Sequence, residues 1–375
     1  MMRLKLKVGM LTILLILLSL IYLTSCESCE TPDRTEIREY HLGLRRLPED
    51  FLNWWFSKVQ TFEEYEMKKN SGVIEPEGWV MNFSDISNSQ IRLTSPQVAY
   101  LPSRYDLRDY GLVTPVKNQG SNNTCWSFAT IGSLESALLT QLGPSGVTSR
   151  FPFLDPYNLD LSEQFVGFYN IEWSIYSNDY YNGYVLDIHE TNLDTGGNPI
   201  FSTFNLIRRG VPKESDFPYI ISSQGGRIRW NPSGNDWMNH LVKSDKTLVI
   251  RKEDFVDYDT FINTIKSAIM SFGALACSIE VYEDYCYYSG GVYIPSPGSR
   301  DLGGHAVLLI GWDDNYYNPN DGQYYKVWIL KNSWGTSWGD NGYWVQPMVD
   351  ETEFYSGKIP DWKIEYDPLY VPYFE

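Results

Sequence analysis

Residues 101–136 read LPSRYDLRDYGLVTPVKNQGSNNTCWSFATIGSLES, and this stretch decides how the chain is understood. Phe128, Ile131, Leu134 and, just beyond, Leu138 recur at spacings of three and four, which predicts a helix over 125–141 stopped by Gly143 and Pro144. Cys125 then stands in the first turn. Unsatisfied N–H groups and the positive end of the helix dipole stabilise a thiolate there and lower the thiol pKa. A nucleophile and a plain buried thiol at a helix start both fit that position, so its neighbours must decide.

Downstream the texture changes to strands. Residues 275–281, 305–312 and 324–330 are rich in β-branched, aromatic and aliphatic side chains and are bounded by Gly, Asp and Asn. A helical half followed by a sheet-rich half predicts an α+β fold with a cleft between the halves. Leu275, Cys277 and Ile279 alternate toward one side of the first of these strands, so Cys277 reads as core. A disulfide between Cys277 and Cys286 stays open.

Upstream, residues 30–70 are charged and helix-prone, with an aromatic cluster at Trp54, Trp55 and Phe56. Residues 84–95 are polar with little periodicity and read as a linker. The boundary therefore falls near Val98, dividing an N-terminal segment at 26–98 from a main domain at 99–375. Residues 1–25 form an address: Arg3, Lys5 and Lys7 precede an apolar run over 8–23, as in a signal peptide. Its end, Leu23-Thr24-Ser25-Cys26, resembles the lipobox of bacterial lipoproteins. That resemblance implies a lipidated Cys26, a lipid anchor in a membrane and a chain lying outside the cytoplasm.

The chain has 375 residues, 43% of them hydrophobic and 15% aromatic, enough for a packed core. A net charge of −17 and a pI near 4.7 argue against nucleic-acid partners, whose phosphates need clustered Lys and Arg. Five cysteines are too few to scaffold a chain of this size. No Gly-rich phosphate loop or metal-ligand spacing occurs, so neither cofactor nor metal is expected, and a monomer is the default.

The 101–136 stretch resembles the start of the mature domain of papain and the lysosomal cathepsins. In that family a Gln six positions before the nucleophilic Cys helps hold the tetrahedral oxyanion, together with the backbone N–H of that Cys. The residue here is Gln119. A general base near neutral pKa must be an imidazole, and the chain has four. His41, His189 and His240 lie in polar surroundings. His305, in Gly303-Gly304-His305-Ala306-Val307, looks like the family's catalytic His strand, and Asn332, in Lys331-Asn332-Ser333-Trp334-Gly335, like its Asn strand. Trp334 would then shield the Asn332 to His305 hydrogen bond from water. Leu161-Ser162-Glu163-Gln164 matches a structural motif of the family, and Gly196-Gly197-Asn198-Pro199 resembles the segment that binds substrate backbone.

The resemblance covers residues 101–345 and implies a papain-like two-subdomain fold, helical on the left and β-barrel-like on the right. It also implies a cysteine peptidase acting on protein or peptide substrates through a thioester. A transpeptidase or amidase on the same scaffold, or a surface binding protein without turnover, are the alternatives. By position the main selectivity pocket would be lined by Pro199, Ser278, Gly303 and Ala306, with Asn198 at its edge, and would take an apolar or aromatic side chain two residues before the cut. Departures are informative. Asn122 and Tyr169 stand where papain has the halves of one disulfide, Asn123 replaces a glycine, and Gly304 replaces an Asp. Residues 170–194 are longer than in the plainest family members and fit either a rim of the cleft or a solvated loop. The segment before Leu101 fits an inhibitory propeptide or a spacer; as a propeptide it would be cut between Val98 and Leu101.

Overall fold

A computed structural model describes residues 42–47, 49–70, 89–168, 172–174, 185–187, 196–220 and 240–375. The expected signal peptide, Cys26, His41, Tyr169, His189 and most of 170–194 lie outside the described residues.

After an extended segment at 42–47 come helix α1 (Glu49–Phe56), strand β1 (Gln60–Thr61), helix α2 (Phe62–Asn70) and strand β2 (Gln90–Arg92). The first half of the main body contributes β3 (Arg104–Asp106), α3 (Cys125–Ala137), α4 (Glu163–Phe168) and α5 (Pro199–Arg208). The second half contributes β4 (Lys246–Ile250), α6 (Tyr258–Phe272), β5 (Leu275–Tyr282), β6 (Asp301–Asn318), β7 (Gln323–Lys331), β8 (Tyr343–Pro347) and β9 (Leu369–Tyr373). These nine strands form one sheet in the order β1-β2-β4-β9-β5-β6-β7-β8, with β3 paired to β6, and residues 172–174 pair with 185–187 in a separate two-stranded sheet. All joins are antiparallel except β1 to β2 and β2 to β4.

Helix α3 is the axis of the molecule, and every one of its 13 residues is buried. A helix buried all round must satisfy its polar side chains internally. Thr130 Oγ1 donates to the carbonyl of Trp126 at 2.8 Å, Ser133 Oγ donates to that of Ala274 at 2.6 Å, and Ser136 Oγ accepts from the N–H of Ala274 at 2.9 Å. These bonds dock α3 on the start of β5. The helix predicted over 125–141 is present, and its last turn widens into a π-helical stretch at Leu138–Leu142.

The N-terminal segment is woven into this body. Trp55 is fully buried and meets Phe201 and Phe204 of α5 edge-on, at ring separations of 6.1 and 6.5 Å. Its indole N–H donates to Gln90 Oε1 at 2.7 Å, and Gln90 Nε2 donates to the carbonyl of Ile200 at 3.3 Å. Ile91 and Leu93 are fully buried, and β2 pairs in register with β4. Burying side chains of this size stabilises by about 1.5–3 kcal/mol each. Residues 90–92, expected within a linker, are thus a strand, and the described residues on both sides of Val98 pack on the same body. The backbone N–H groups of Gln97 and Val98 both donate to Ser267 Oγ of α6, at 2.5 and 3.0 Å.

Cys277 is a buried thiol donating to the carbonyl of Val307 at 3.6 Å, and neither it nor Cys286 is in a disulfide. Cys277 is core, as its alternation predicts, and the disulfide left open is not formed.

Candidate active site

Strand β6 passes the N-terminal end of α3. The backbone N–H of Ala306 donates to Cys125 Sγ at 3.3 Å, which sets the preceding residue, His305, beside the thiol. His305 Nε2 lies 2.8 Å from Asn332 Oδ1, just beyond β7. The N–H of Ser333 also donates to that oxygen, at 2.8 Å, which settles which end of the Asn332 amide is the acceptor. An acceptor opposite Nε2 puts the proton of the neutral ring on Nε2 and leaves Nδ1 as the basic nitrogen. The Trp334 ring lies over the imidazole at 4.8 Å, tilted by 33°, and is itself buried. The cover expected of Trp334 is there.

Gln119 is held at both ends of its amide. Oε1 accepts from the hydroxyl of Ser333 at 2.6 Å, and Nε2 donates to the carbonyl of Asn122 at 2.9 Å. Its backbone N–H donates to the carbonyl of Ser333 at 2.8 Å, so the Gln119 loop and the Asn332 segment are fastened to each other. The amide nitrogen therefore faces the loop that leads into Cys125.

Residues 42–47 run as a strap through the groove above these groups. The N–H of Arg45 donates to the carbonyl of Gly197 at 2.7 Å, and the N–H of Gly197 donates to that of Gly43 at 2.7 Å, a parallel bridge centred on Leu44. The N–H of Leu44 donates to the carbonyl of Gly304 at 3.3 Å, and Asn198 Nδ2 donates to that of Arg45 at 3.0 Å. The approach is close enough to require glycine. A Cβ on Gly43 would lie 2.0 Å from the carbonyl oxygen of Asn123, and one on Gly196, whose φ is +71°, 2.5 Å from that of Gly43. Leu44 occupies the space opened by Gly304, where a Cβ would meet its Cδ2 at 2.9 Å. The residue that departs from the family's Asp thus makes room for a buried leucine.

Under the strap Cys125 is completely buried. Burial pushes its thiol up to about 11, against the pull of the Ala306 and Gly43 backbone N–H groups. The position at a helix start predicts a lowered pKa. With the cleft covered, loss of solvent outweighs the dipole and the thiol is protonated at neutral pH.

Beneath the site lies an ionic cluster that is buried at Glu135, Glu163 and Lys331 and opens to solvent at Asp160. Lys117 Nζ sits 2.7 Å from Glu163, 2.8 Å from Asp160 and 3.4 Å from Glu135, while Lys331 Nζ donates to the carbonyl of Thr114 at 2.8 Å. Three carboxylates raise the Lys117 pKa, and burial lowers that of Lys331 to about 8. The Leu161-Ser162-Glu163-Gln164 motif supplies this floor, with Ser162 Oγ donating to the carbonyl of Phe217 at 2.5 Å and Gln164 Oε1 accepting from Ile220 N–H at 3.1 Å.

The structure therefore brings together Gln119, Cys125, His305, Asn332 and Trp334, with Gly196 and Gly197 along the edge bound by the strap. Ser278 pairs across the sheet with Ala306, and both are buried, as is Pro199 at the start of α5. His240 is exposed against Phe153, as a surface residue should be. Sequence reasoning missed Ser333, which orients Gln119, and Tyr219, which touches the same loop. Ser333 lay inside the quoted Asn motif and could have been found there; Tyr219 carries no local signal.

A thiol at a helix start, an imidazole oriented by an amide and a second amide on the preceding loop form a Cys–His–Asn site in the cleft of an α+β fold. A family model described as papain family cysteine protease matches residues 101–150 and 185–353, and the chain belongs to that family. It is 30% identical to cysteine proteinase 1 of Zea mays over 249 residues, 65% of this chain and 56% of that protein. It is 28% identical to falcipain-3 of Plasmodium falciparum, covering 74% and 47%, and 28% identical to cathepsin K of Mus musculus, covering 65% and 59%. The matched stretch thus spans about half of these curated relatives. Among solved structures, digestive procathepsin L2 of Tenebrio molitor aligns with a TM-score of 0.51 at 19% identity over 91% of this chain and 81% of its own. Procathepsin B S9 of Trypanosoma congolense gives 0.52 at 16% over 88% and 99%. Both show the papain-like α+β fold.

Proposed function

We propose that this chain is a cysteine peptidase, made in a latent form, that hydrolyses peptide bonds through a Cys125 thiolate and a His305 imidazolium. The observation that carries the reading is the chain of contacts Cys125 to Ala306 and His305 to Asn332, at 3.3 and 2.8 Å. With the cleft open, His305 Nδ1 takes the thiol proton and the sulfur attacks the carbonyl. Gln119 Nε2 and the Cys125 N–H receive the oxyanion, a contribution of about 3 kcal/mol per donor. His305 returns the proton to the leaving amine, and water then hydrolyses the thioester. Trapping with a peptide ester tests this: a mass gain on Cys125 that decays to free acid supports hydrolysis. Acyl transfer to an added amine in preference to water would favour a transpeptidase.

Latency rests on the strap. It occupies the backbone-binding edge at Gly197 and covers the thiol, so substrate and strap compete for one groove. The seating of Leu44 against Gly304 supports an aliphatic side chain two residues before the cut. Residues 1–26 support a lipid-anchored, extracytoplasmic precursor, and a cut in the strap would free the peptidase body from its anchor. Loss of fatty-acid labelling in Cys26→Ala checks the anchor.

A further inference from the structure

The Tyr219 phenol oxygen lies 2.9 Å from the carbonyl of Gln119, 3.0 Å from Asn122 Nδ2 and 2.6 Å from Thr124 Oγ1. A phenol has one proton to give and two lone pairs to receive with. A carbonyl only accepts and an amide nitrogen only donates, so Tyr219 gives its proton to Gln119 and takes one from Asn122. Thr124 is left as the second donor, and the oxygen is saturated. Burial raises the phenol pKa far above its ordinary value, which keeps that proton in place.

The three residues held by this one atom bracket the oxyanion site. Gln119 carries the amide donor, Thr124 directly precedes the Cys125 N–H, and Asn122 stands between. The carbonyl of Asn122 accepts from Gln119 Nε2 and from the Thr124 N–H, both at 2.9 Å. Its side chain also donates to the carbonyl of Ile220 at 3.1 Å, and its position is fully buried. Tyr219 is braced in turn, its ring edge-on to Phe128 of α3 at 4.9 Å.

We propose that Tyr219, with Asn122, is a positioning residue of the oxyanion site, fixing the spacing of Gln119 Nε2 and the Cys125 N–H. The proposal rests on Gln119 being an oxyanion donor. Alkylation of Cys125 by iodoacetamide separates the two effects, because it needs the thiolate but passes through no tetrahedral oxyanion. A loosened loop slows amide hydrolysis and spares alkylation.

The test uses the full chain, processed until activity is constant, with rates normalised to titrated Cys125. Removing an oxyanion donor outright costs about 10²–10³ in rate, and Gln119→Ala is expected to show this. Tyr219→Phe, which deletes only the hydroxyl, is expected to lower kcat about tenfold, with KM and the alkylation rate within about twofold of wild type. A peptide aldehyde, whose hemithioacetal oxygen occupies the same place, should bind about tenfold more weakly. Asn122→Ala should follow the same pattern and carries the test if Tyr219→Phe does not fold. Unchanged hydrolysis in Tyr219→Phe beside a crippled Gln119→Ala overturns the positioning role alone. Alkylation falling in step with hydrolysis also overturns it, as the mark of a merely structural residue. Normal hydrolysis in Gln119→Ala overturns the oxyanion reading and the proposal with it.

Discussion

Arg46 Nε lies 2.5 Å from Glu280 Oε1, and this ion pair fastens the strap to strand β5. The same guanidinium stacks over the Tyr366 ring at 4.6 Å and donates to the carbonyl of Asp361 at 3.2 Å. Half-buried contacts of this kind contribute about 1 kcal/mol together, roughly a fivefold change in strap opening. Arg46→Ala is therefore expected to speed alkylation of Cys125 in the unprocessed chain about fivefold, read by mass spectrometry of the labelled peptide. An unchanged rate would mean the strap is held by its backbone bonds alone.

The covered thiol, pushed up to about 11 by burial, should titrate differently once uncovered. A raised thiol pKa means the protonated, unreactive form prevails below it. Alkylation of unprocessed protein should keep rising with pH toward 11. After processing, solvent returns, the helix dipole and His305 act on the sulfur, and the rate should level off near neutrality. Identical pH profiles before and after processing would contradict the shielding role of the strap.

Where the chain is cut follows from packing. Removing everything before Leu101 would strip β2 from β4 and leave Phe201 and Phe204 without Trp55. The active protein is therefore expected to begin upstream of Glu49 and to retain α1, α2 and β2. N-terminal sequencing of the processed form decides it, and a start at 98–101 would show that this packing is disposable.

Burial raises Glu214 from an ordinary 4.5 to about 7, and Glu280 by as much against the pull of Arg46, so that the ion pair forms fully only above that pH. Both bind their protons more tightly in the folded chain than in the unfolded one, so their contribution is fully present below about pH 4.5 and is lost as pH rises through 7. Thermal unfolding should occur about 3 °C higher at pH 5 than at pH 7.5. Glu214→Gln should shrink that difference, and a midpoint that rises over the same interval would run against the assignment.

How much of this was legible in the sequence depends on how local the signal is. Gln119, Cys125, His305 and Asn332 each sit in a short motif whose neighbours set the local geometry, and the structure brings all four together. The helix at 125 follows from side-chain periodicity, and the strands carrying Cys277 and His305 from their composition and the Gly, Asp and Asn that bound them. The strap does not, because Leu42 to Leu47 dock through backbone hydrogen bonds, one buried leucine and the contacts of Arg46, which leave no periodic pattern. Strand β2 is three residues long and its pairing depends on β4, far along the chain. The raised thiol pKa has the same origin: a helix start is visible in sequence, whereas burial by a distant segment is not.

The proposed chemistry makes Cys125 the nucleophile of a peptide-bond hydrolase. Its most direct test is a peptide-library cleavage profile of processed wild type beside Cys125→Ala treated with the same processing protease. Wild type is expected to cleave peptides with an aliphatic or aromatic residue two positions before the cut, and the variant is expected to cleave none. Equal cleavage by both proteins, or none by a wild type whose Cys125 is uncovered and alkylates readily, would contradict it.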